Sequence, residues 1–385
     1  MRVAIATRIF DPEPSAASFR LSALARSFFA RGDEVRVLTV RPPRGATAAP
    51  APYRVTRFPV IRDRTGYVRG YVQYMSFDIP LFFRVLCGMR QDAIVVEPPP
   101  TTALSVTVAA RLRRTAVFPY AADVWSDASE STGAPRPVVA AVRWMERYSW
   151  SRAAGVLAVN DGVAARIMEI APQAKVTVVG NGIDTDLFMP EGETAAEAPN
   201  TPYAIYTGTA SEWQGAEVFV RAVAQLRDNG SALRLVFLGQ GTSFPELQRL
   251  AEALDAPVDF HPPVPPAEAA AWLRGAAVSV ASIRPGAGYD FAYPTKVFAA
   301  WACGTPVVYA GPGPAGVVLA GNPALGEGVD FSPAAVAGAL ERAVSDPGLD
   351  RKVIAEWAHE NVSLGGVAAR VTACVSASLP RSSPR

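Results

Sequence analysis

The stretch YPTKVFAAWACGTPVVYAGPGPAG, residues 293–316, decides the fold that the sequence predicts. A helix is predicted to begin after Pro294 and to end at Gly304, and an apolar strand follows it directly. Thr295 and Lys296 fall in the first turn of this helix, where free backbone N–H groups and the helix dipole favour an anion. Because the chain has only three lysines, Lys296 is a candidate cation for a phosphate group, with a solvated surface lysine as the alternative.

The alternation of helix and buried strand in this stretch extends over the whole chain. Short apolar runs that predict strands recur between segments with helical spacing. They lie at 3–7, 35–40, 93–96, 116–120 and 155–159 in the first half, and at 203–206, 233–238, 258–260, 278–282 and 307–309 in the second. Since β-α-β units build parallel sheets, we predict an α/β protein with two doubly wound domains of similar size.

The predicted boundary between the two domains is a segment without apolar periodicity. Residues 188–202 are rich in Glu, Ala and Pro, which indicates a linker between a domain at 1–187 and a domain at 203–364. A helix predicted at 365–378 is placed to cross back to the first domain, and the tail at 379–385 is predicted to be disordered. Doubly wound sheets bind ligands beyond the carboxyl ends of their strands, so we expect the site in a cleft between facing domains.

Composition excludes several classes of protein. The chain has 385 residues, of which 50% are hydrophobic and 19% are charged, so global disorder is excluded. Three widely spaced cysteines and two histidines argue against a disulfide scaffold and against a structural zinc site. The first apolar stretch is too short for the core of a signal peptide, and no window is long enough to span a membrane. We therefore expect a cytoplasmic protein.

The two halves of the chain differ in charge. Residues 1–190 hold 24 Lys or Arg against 16 Asp or Glu, a balance of +8, and the remainder holds 13 against 19, a balance of −6. In the basic half, the segment 62–90 mixes arginines with Tyr, Phe, Leu and Met. No nucleic-acid-binding module surrounds it, so we expect no nucleic acid partner and instead a peripheral contact with anionic lipid at the inner face of the membrane. Core helices with snorkelling arginines are the alternative.

Four motifs resemble those of one enzyme family. ACGTPVV at 302–308, VGNGIDTDLFMP at 179–190, YTGTASEWQGAEVFVRA at 206–222 and LRLVFLGQG at 233–241 resemble motifs of the retaining, nucleotide-sugar-dependent glycosyltransferases of glycosyltransferase family 4. The resemblance covers essentially the whole chain. It implies the GT-B architecture, in which two Rossmann-like domains face each other, the first binding the acceptor and the second binding the donor.

The motif that usually binds the donor departs from the family pattern. Family members carry two glutamates separated by seven residues before A-x-G-x-P-V-V, and here Phe291 and Ala299 stand at those positions. The chain resembles instead a bacterial subset, involved in cell-surface polysaccharide synthesis, that has Gln in the first donor-domain loop and a Pro-Ser-Lys turn. Asp290 is a candidate replacement for the first glutamate. The resemblance implies donor contacts at Gly208, Thr209, Gln214, Gly215, Gly239, Asp290, Tyr293, Thr295 and Lys296. Gly311 and Gly313 follow a predicted strand, where a glycine-rich loop lets backbone N–H groups approach a phosphate, with an ordinary turn as the alternative.

The resemblance also implies catalytic and acceptor-binding residues. Lys296 and Arg284 would stabilise the leaving diphosphate, with a surface role as the alternative for Arg284. Asp123 would orient or deprotonate the acceptor hydroxyl, and Trp125 would pack beside a sugar or fill the core. Ser15 and Ala16 stand in the loop where the family often has a glycine pair near the donor phosphate, and we include them among the acceptor-side residues.

These observations predict a retaining glycosyltransferase that moves a sugar from a nucleoside diphosphate to a hydroxyl of a lipid-linked glycan or of a small molecule. No Asp-x-Asp motif is present, so we expect no metal ion, and no cofactor other than the nucleotide sugar as co-substrate. A sugar-nucleotide epimerase is one alternative, although it would need histidines or carboxylates for acid-base work. A non-catalytic sugar-nucleotide binding protein is the other, because both usual glutamates are missing.

Overall fold

The structure is a computed structural model that describes residues 1–13, 15–43, 46, 48, 50–63, 66, 68, 70–345 and 350–379. Its contacts divide the chain into a first unit, Met1–Asn181 with Leu364–Arg385, and a second unit, Gly182–Ser363. The predicted tail at 379–385 lies, apart from Leu379, outside the described residues.

The first unit contains a seven-stranded sheet in which all paired strands are parallel, in the order β3-β2-β1-β4-β5-β6-β7. Its strands and helices are β1 (Arg2–Ala6), α1 (Ala16–Ala30), β2 (Glu34–Val40), β3 (Arg54–Phe58), α2 (Tyr71–Cys87), β4 (Ala93–Val96), α3 (Pro100–Arg113), β5 (Ala116–Ala121), α4 (Trp125–Ser131), α5 (Arg136–Ser151), β6 (Val156–Ala158), α6 (Asp161–Ile170) and β7 (Val176–Val178). The strands β1 and β4 at its centre are almost fully buried, which explains their apolar sequences.

The second unit contains a six-stranded parallel sheet in the order β10-β9-β8-β11-β12-β13. Its elements are β8 (Tyr203–Thr209), α7 (Glu217–Asp228), β9 (Arg234–Gln240), α8 (Phe244–Ala253), β10 (Val258–His261), α9 (Pro266–Gly275), β11 (Val278–Ser282), α10 (Lys296–Ala302), β12 (Val307–Ala310), α11 (Pro314–Gly321), β13 (Gly326–Val329), α12 (Pro333–Ser345) and α13 (Arg351–Val362), with short 3-10 turns at Glu212–Gln214 and Pro323–Leu325. Two apolar clusters, one on each face of the sheet, form its core. The predicted α/β class with two Rossmann-like parallel-sheet domains is confirmed.

The last helix, α14 (Leu364–Ala377), belongs to the first unit. It packs against α1, and the Arg370 Nε donates a hydrogen bond of 2.9 Å to the carbonyl oxygen of Val179. The segment predicted as a linker, 188–202, belongs to the second unit, where Phe188 and Ala195 pack against its core. The unit boundaries therefore lie at 181/182 and 363/364, earlier in the chain than the 187/188 boundary expected from composition.

Three short edge or near-edge strands have no apolar signal in the sequence. β3 carries two arginines and is only half buried, β7 has three residues, and β13 has the sequence GEGV. Each takes its strand conformation from pairing with a neighbouring strand rather than from its own side chains. In addition, none of the helices described here is both long and apolar enough to cross a membrane.

The helix of the decisive stretch ends at a glycine that the backbone requires. Gly304 has a φ of +69°, and a Cβ added there would lie 2.5 Å from the carbonyl oxygen of Arg351. Gly230, which follows α7, has a similar φ of +84° but nothing within 4 Å of the same added atom. Alanine substitutions at the two positions therefore distinguish the cost of backbone strain from the cost of a steric collision.

We predict that Gly304→Ala lowers the free energy of unfolding by more than Gly230→Ala does. The control should lose ~1 kcal/mol from the left-handed backbone alone, and Gly304→Ala should lose ~2 kcal/mol or more because α13 must also shift. Urea and thermal unfolding of both variants measure the difference. Equal losses would contradict the packing assigned to Gly304.

Candidate functional site

The carboxyl ends of four neighbouring strands of the second unit gather most of the residues predicted to bind a donor. Gly208 and Thr209 end β8, Gly239 lies at the end of β9, and Arg284 and Gly311 follow β11 and β12. A Cβ at Gly239 would collide with the backbone of Gly208, and one at Gly311 would collide with the carbonyl oxygen of Ile283. These glycines let the loops at this edge pack backbone against backbone. The N–H group of Gly311 is used within the unit, since it donates to the carbonyl oxygen of Val329 at 3.0 Å.

Lys296, the first residue of α10, reaches back to the end of β8. Its Nζ donates a hydrogen bond of 3.2 Å to the carbonyl oxygen of Thr209 and lies 3.2 Å from the centroid of the Tyr206 ring. The hydroxyl of Tyr206 also donates to the Thr209 carbonyl, at 3.1 Å. Within the part of the chain that the structure describes, no carboxylate pairs with Lys296. A ring face and one carbonyl are thus its partners.

The environment of Lys296 makes its charge dependent on a ligand. Burial lowers the pKa of its ammonium group well below the ordinary value. The face of the Tyr206 ring and the Thr209 carbonyl act in the opposite direction, because both favour the charged form. An anion beside Nζ would supply the missing negative charge. The position predicted from the sequence therefore has the electrostatic character of an anion site.

The loop after β8 uses its glutamine internally. The Gln214 side chain is buried, and its Oε1 accepts a hydrogen bond of 2.9 Å from the backbone N–H of Ser211, which closes the 3-10 turn. The Ser282 hydroxyl donates to the Gln214 carbonyl oxygen at 2.5 Å. The Gln214 side chain therefore has a structural role, and its direct contact with a donor stays a prediction. Gly215, at a φ of +66°, packs under the ring of Phe331.

Arg284 and Trp213 lie on the same loop edge. The Arg284 guanidinium pairs with the Glu217 carboxylate at 2.6 Å and is half exposed, so its charge is partly compensated. Its backbone N–H donates to the carbonyl oxygen of Trp213 at 2.9 Å. The Trp213 ring stacks on Tyr289 with centroids 4.7 Å apart. Sequence reasoning did not single out this aromatic pair, which forms a flat apolar surface next to the predicted donor residues.

The positions of the two missing glutamates differ in environment. Ala299 is buried in α10 among core residues, whereas Phe291 lies in the loop before it. The Asp290 carboxylate is exposed and accepts a hydrogen bond of 3.2 Å from the N–H of Gly286. A Cβ at Gly313 would approach the Asp290 carbonyl oxygen to 2.8 Å. Asp290 thus lies beside the glycine-rich loop after β12 and stays a candidate contact for a sugar.

Tyr293 and Thr295 occupy the turn that leads into α10. The Tyr293 ring packs against Phe298 with centroids 4.5 Å apart, and burial raises the pKa of its phenol. Thr295 is exposed, and its side chain makes no capping hydrogen bond to α10. Thr295 is therefore free to contact a ligand, while Tyr293 has a packing role.

In the first unit, a buried ion pair lies under the predicted acceptor residue. Arg20 of α1 and Glu97, which follows β4, pair at 2.6 Å with both side chains less than 10% exposed. The Arg20 guanidinium also lies 4.6 Å from the centroid of Tyr120. Burial raises the pKa of the Asp123 carboxyl, and Arg20 acts in the opposite direction. A carboxylate with a raised pKa is the better proton acceptor, which suits the role predicted for Asp123.

The helix that begins at Trp125 is held by a second buried carboxylate. Glu146 of α5 accepts hydrogen bonds from the backbone N–H groups of Trp125, at 2.7 Å, and Ser126, at 3.3 Å. Burial raises the pKa of Glu146 to about 7, against the opposing effect of these hydrogen bonds. The Trp125 ring, half buried, meets Tyr74 edge to face at 6.4 Å. Trp125 is thus packed within the first unit on one side and accessible on the other.

Ser15 and Ala16 start α1. The Ser15 Oγ accepts a hydrogen bond of 3.0 Å from the N–H of Ser18 and so caps the helix, while Ala16 is exposed. The side chain of Ser15 therefore has a structural role in addition to any ligand contact. Sequence reasoning missed Arg20, Glu97 and Glu146. A carboxylate directly after a buried strand, as in AIVVE, is the signal that would have found Glu97.

Two family models match the chain. The model described as "Glycosyl transferase 4-like domain" matches residues 16–182, and the model described as "Glycosyl transferases group 1" matches residues 201–346. The chain carries two glycosyltransferase family domains. The first corresponds to the unit that holds Asp123 and the second to the unit that holds Lys296.

Curated relatives carry a related name. D-inositol 3-phosphate glycosyltransferase of Streptomyces avermitilis is 32% identical over 202 residues, which are 48% of this chain and 42% of the relative. The protein of the same name from Streptomyces bingchenggensis is 31% identical over 233 residues, which are 54% of this chain and 48% of that relative. In both matches the chain spans less than half of the relative.

Two solved structures resemble nearly the whole chain. Sucrose-phosphate synthase from Thermosynechococcus elongatus has a TM-score of 0.75 at 16% identity, covering 97% of this chain and 98% of that one. Anabaena HepE, solved in complex with UDP and glucose, has a TM-score of 0.68 at 13% identity, covering 98% and 99%. At such identities the likeness shows the fold, which is the GT-B fold expected from the sequence.

We predict that the Tyr206 ring, rather than its hydroxyl, supports the charge on Lys296. Tyr206→Leu should lower the pKa of Lys296 further, because the cation loses the ring face, whereas Tyr206→Phe should leave it close to that of the unchanged protein. The chain has three lysines, so NMR titration of lysine ¹³Cε signals gives three resonances.

Lys175→Arg and Lys352→Arg variants assign the Lys296 resonance, and the other two lysines act as internal references. If Tyr206→Leu and Tyr206→Phe change the pKa of Lys296 equally, the Tyr206 ring does not support the charge.

We predict that the effect of Glu146→Gln on stability depends on pH. The native pKa of Glu146 is about 7, above that of an unfolded glutamate, so ionising Glu146 destabilises the native state as pH rises between the two values. Gln cannot ionise. The stability of Glu146→Gln relative to the unchanged protein should therefore increase between pH 5 and pH 8 by on the order of 2 to 3 kcal/mol.

Urea unfolding of both proteins at about pH 5 and about pH 8 measures this change. A stability difference that is the same at both pH values would show that Glu146 titrates as an ordinary carboxyl group.

Proposed function

We propose that this chain is a retaining glycosyltransferase that moves a sugar from a nucleoside diphosphate to a hydroxyl group of an acceptor. The observation that carries the proposal is the ammonium of Lys296, which lies at the carboxyl edge of the second sheet with a carbonyl and a ring face as its partners. The glycosyl transferases group 1 match over 201–346 includes this edge. Open parallel sheets bind ligands beyond the carboxyl ends of their strands.

In the proposed reaction, Lys296 stabilises the diphosphate as it leaves. The bond from the sugar C1 to the phosphate oxygen breaks, and the bond from C1 to the acceptor oxygen forms on the same face of the sugar, so the configuration at C1 is retained. Positive charge beside the departing phosphate lowers the barrier because negative charge grows there in the transition state. The N–H group of Gly313 and the half-compensated Arg284 supply further donors.

Asp123 is the residue that we propose to handle the acceptor. Its carboxyl orients the attacking hydroxyl and accepts its proton as the new bond forms. Burial raises the pKa of Asp123, which makes its carboxylate a better proton acceptor, and Arg20 acts in the opposite direction. The hydroxyl belongs either to a lipid-linked glycan or to a small molecule. The curated relatives are named for a small phosphorylated acceptor, so both classes belong in an acceptor panel.

We propose that transfer needs no metal ion and no cofactor besides the nucleotide sugar. In the described ranges, no group of three or more His, Cys, Asp or Glu side chains is arranged to hold a metal. The cationic role then falls to Lys296 and Arg284. Transfer should continue in EDTA at an unchanged rate, and loss of transfer in EDTA would overturn this part of the proposal.

Two other functions are weighed against this one. An epimerase needs acid-base groups in its site, and the first unit contains no histidine, since the chain has only His261 and His359, both in the second unit. A non-catalytic binder is favoured by Ala299 and Phe291 at the usual glutamate positions. Binding of a nucleotide sugar without transfer or hydrolysis on any acceptor would support the binder.

We further propose a peripheral membrane contact through α2, within the segment 62–90. Its outward side chains are apolar, and those more than about half exposed are Tyr71, Val72, Ile79 and Phe83. Two arginines of the segment are otherwise occupied: Arg62 pairs with Glu13 at 2.8 Å, and Arg84 donates to the Thr56 carbonyl oxygen at 2.9 Å. Arg90 is exposed after the end of α2, and Arg64 and Arg69 lie outside the described residues. The outward surface of α2 itself is thus apolar.

The activity is tested with a panel of UDP, GDP, ADP and dTDP sugars. Thermal shift identifies the donor, since a ligand of the native state raises its unfolding temperature, and product formation is then followed with both acceptor classes. Lys296→Ala should lower kcat/KM by ~10² to 10³, the usual effect of removing one group that stabilises a developing negative charge. Lys352→Ala, an exposed lysine on α13, is the matched control and should be unchanged.

A Lys296→Ala variant with kcat/KM within about threefold of the unchanged protein would overturn the role given to Lys296. Anomeric configuration of the product, read by NMR, tests retention independently of that role.

A further inference from the structure

The outward face of α5 is aromatic and basic. Trp144 is 57% exposed, and its ring lies 5.6 Å from that of Tyr148, one turn further along the same face. The Arg152 guanidinium lies 4.2 Å from the centroid of Tyr148. Residues 137, 141, 144 and 148 recur at helical spacing, which places Trp144 near the middle of the face. The exposed Val138 extends the apolar surface towards the start of α5.

No acidic side chain balances the arginines of this face. Arg136, Arg147 and Arg152 form no ion pair within the described ranges. The one acidic residue of α5, Glu146, is buried on the opposite side and bonds to the start of α4. The neighbouring carboxylate of Asp127 forms an ion pair with Arg166 at 2.6 Å. The face therefore carries three positive charges without an acidic partner around an aromatic pair, of which Trp144 is exposed and Tyr148 is half-buried.

Helix α3 connects α5 to α2. It packs against both of these helices, so the three form one helical layer of the first unit. Leu112, next to the last residue of α3, is also exposed. The apolar side chains of α2 and the charged, aromatic side chains of α5 thus belong to the same helical layer, with complementary properties.

We propose that the α5 face, centred on Trp144 and flanked by Arg136, Arg147 and Arg152, docks on an anionic lipid bilayer. Trp and Tyr settle at the interface between lipid headgroups and acyl chains, because one part of each ring is apolar and another is polar. Arginines beside them attract anionic headgroups and keep their stems on the apolar surface. The inference rests on the membrane contact proposed for α2 for its choice of partner, an anionic bilayer. It assigns the electrostatic attraction to different residues, the arginines of the α5 face.

The charge pattern favours lipid over other anionic partners. A nucleic acid surface would need cations spread along a groove, whereas here the centre of the face is occupied by an indole and a phenol. An acidic protein would be matched by the arginines but would leave the Trp144 ring without an apolar counterpart. A bilayer offers both a layer of anionic headgroups and an apolar interior, so it satisfies the whole face at once.

The test is co-sedimentation of the full chain with phosphatidylcholine vesicles that contain either no anionic lipid or roughly one third phosphatidylglycerol. The protein should bind the anionic vesicles and be released in about 1 M salt, because exposed charges are then screened within a few ångströms. Trp144→Ala and the double variant Arg147→Gln/Arg152→Gln should each weaken binding about tenfold, and the double variant should also flatten the salt dependence.

Matched controls lie in the second unit. Val317→Ser replaces an apolar side chain that is 75% exposed, and Arg221→Gln replaces an exposed arginine, so both should bind as the unchanged protein does. Unfolding temperatures confirm that each variant is folded. Phe83→Ser tests the α2 contact separately.

The inference is overturned if the chain fails to bind anionic vesicles, or binds neutral vesicles equally well. It is also overturned if the α5 variants bind as the unchanged protein does while Phe83→Ser alone weakens binding, in which case the α2 contact stands without α5. None of these results depends on transferase activity, so they are distinct from a failure of the proposed reaction.

Discussion

The contact of the Lys296 ammonium with the ring of Tyr206 and the carbonyl oxygen of Thr209 is the interaction on which the proposed donor site depends. A cation supported by a ring and a carbonyl is stabilised enough to keep its position but is not neutralised. The contrast with Arg20 in the first unit is instructive. Arg20 is more deeply buried than Lys296, yet the carboxylate of Glu97 compensates its charge directly, so it needs no ligand.

The fold explains why the free charge lies where it does. Parallel strands end at the same edge of a sheet, so the residues after β8, β9, β11 and β12 converge although they are far apart in sequence. Glycines at 239 and 311 allow these loops to touch backbone to backbone. In the first unit the same logic brings Glu97 and Asp123 together after β4 and β5. Each unit thus gathers charged side chains at the carboxyl edge of its own sheet.

The sequence predicted the features that depend on periodicity and missed those that depend on tertiary contacts. The buried central strands and the position of Lys296 in a first turn follow from apolar spacing and from Gly304. The edge strands β3, β7 and β13 do not, because their pairing partners rather than their side chains define them. Gln214 has the residue type of a ligand contact but is used to close its own turn, a choice made by local hydrogen bonding. The sequence pattern around Tyr206 predicts an ordinary core residue. Its contact with the Lys296 Nζ, which lies over the ring, is seen only in the structure.

The central claim is that Lys296 receives the diphosphate of a nucleotide sugar. A crystal structure of the chain with the nucleoside diphosphate that stabilises it most tests this directly. A phosphate oxygen is expected within hydrogen-bond distance of the Lys296 Nζ, with the N–H group of Gly313 donating to the same diphosphate. A diphosphate bound elsewhere in the protein, or bound at this edge with Lys296 still turned to Thr209 alone, would contradict it.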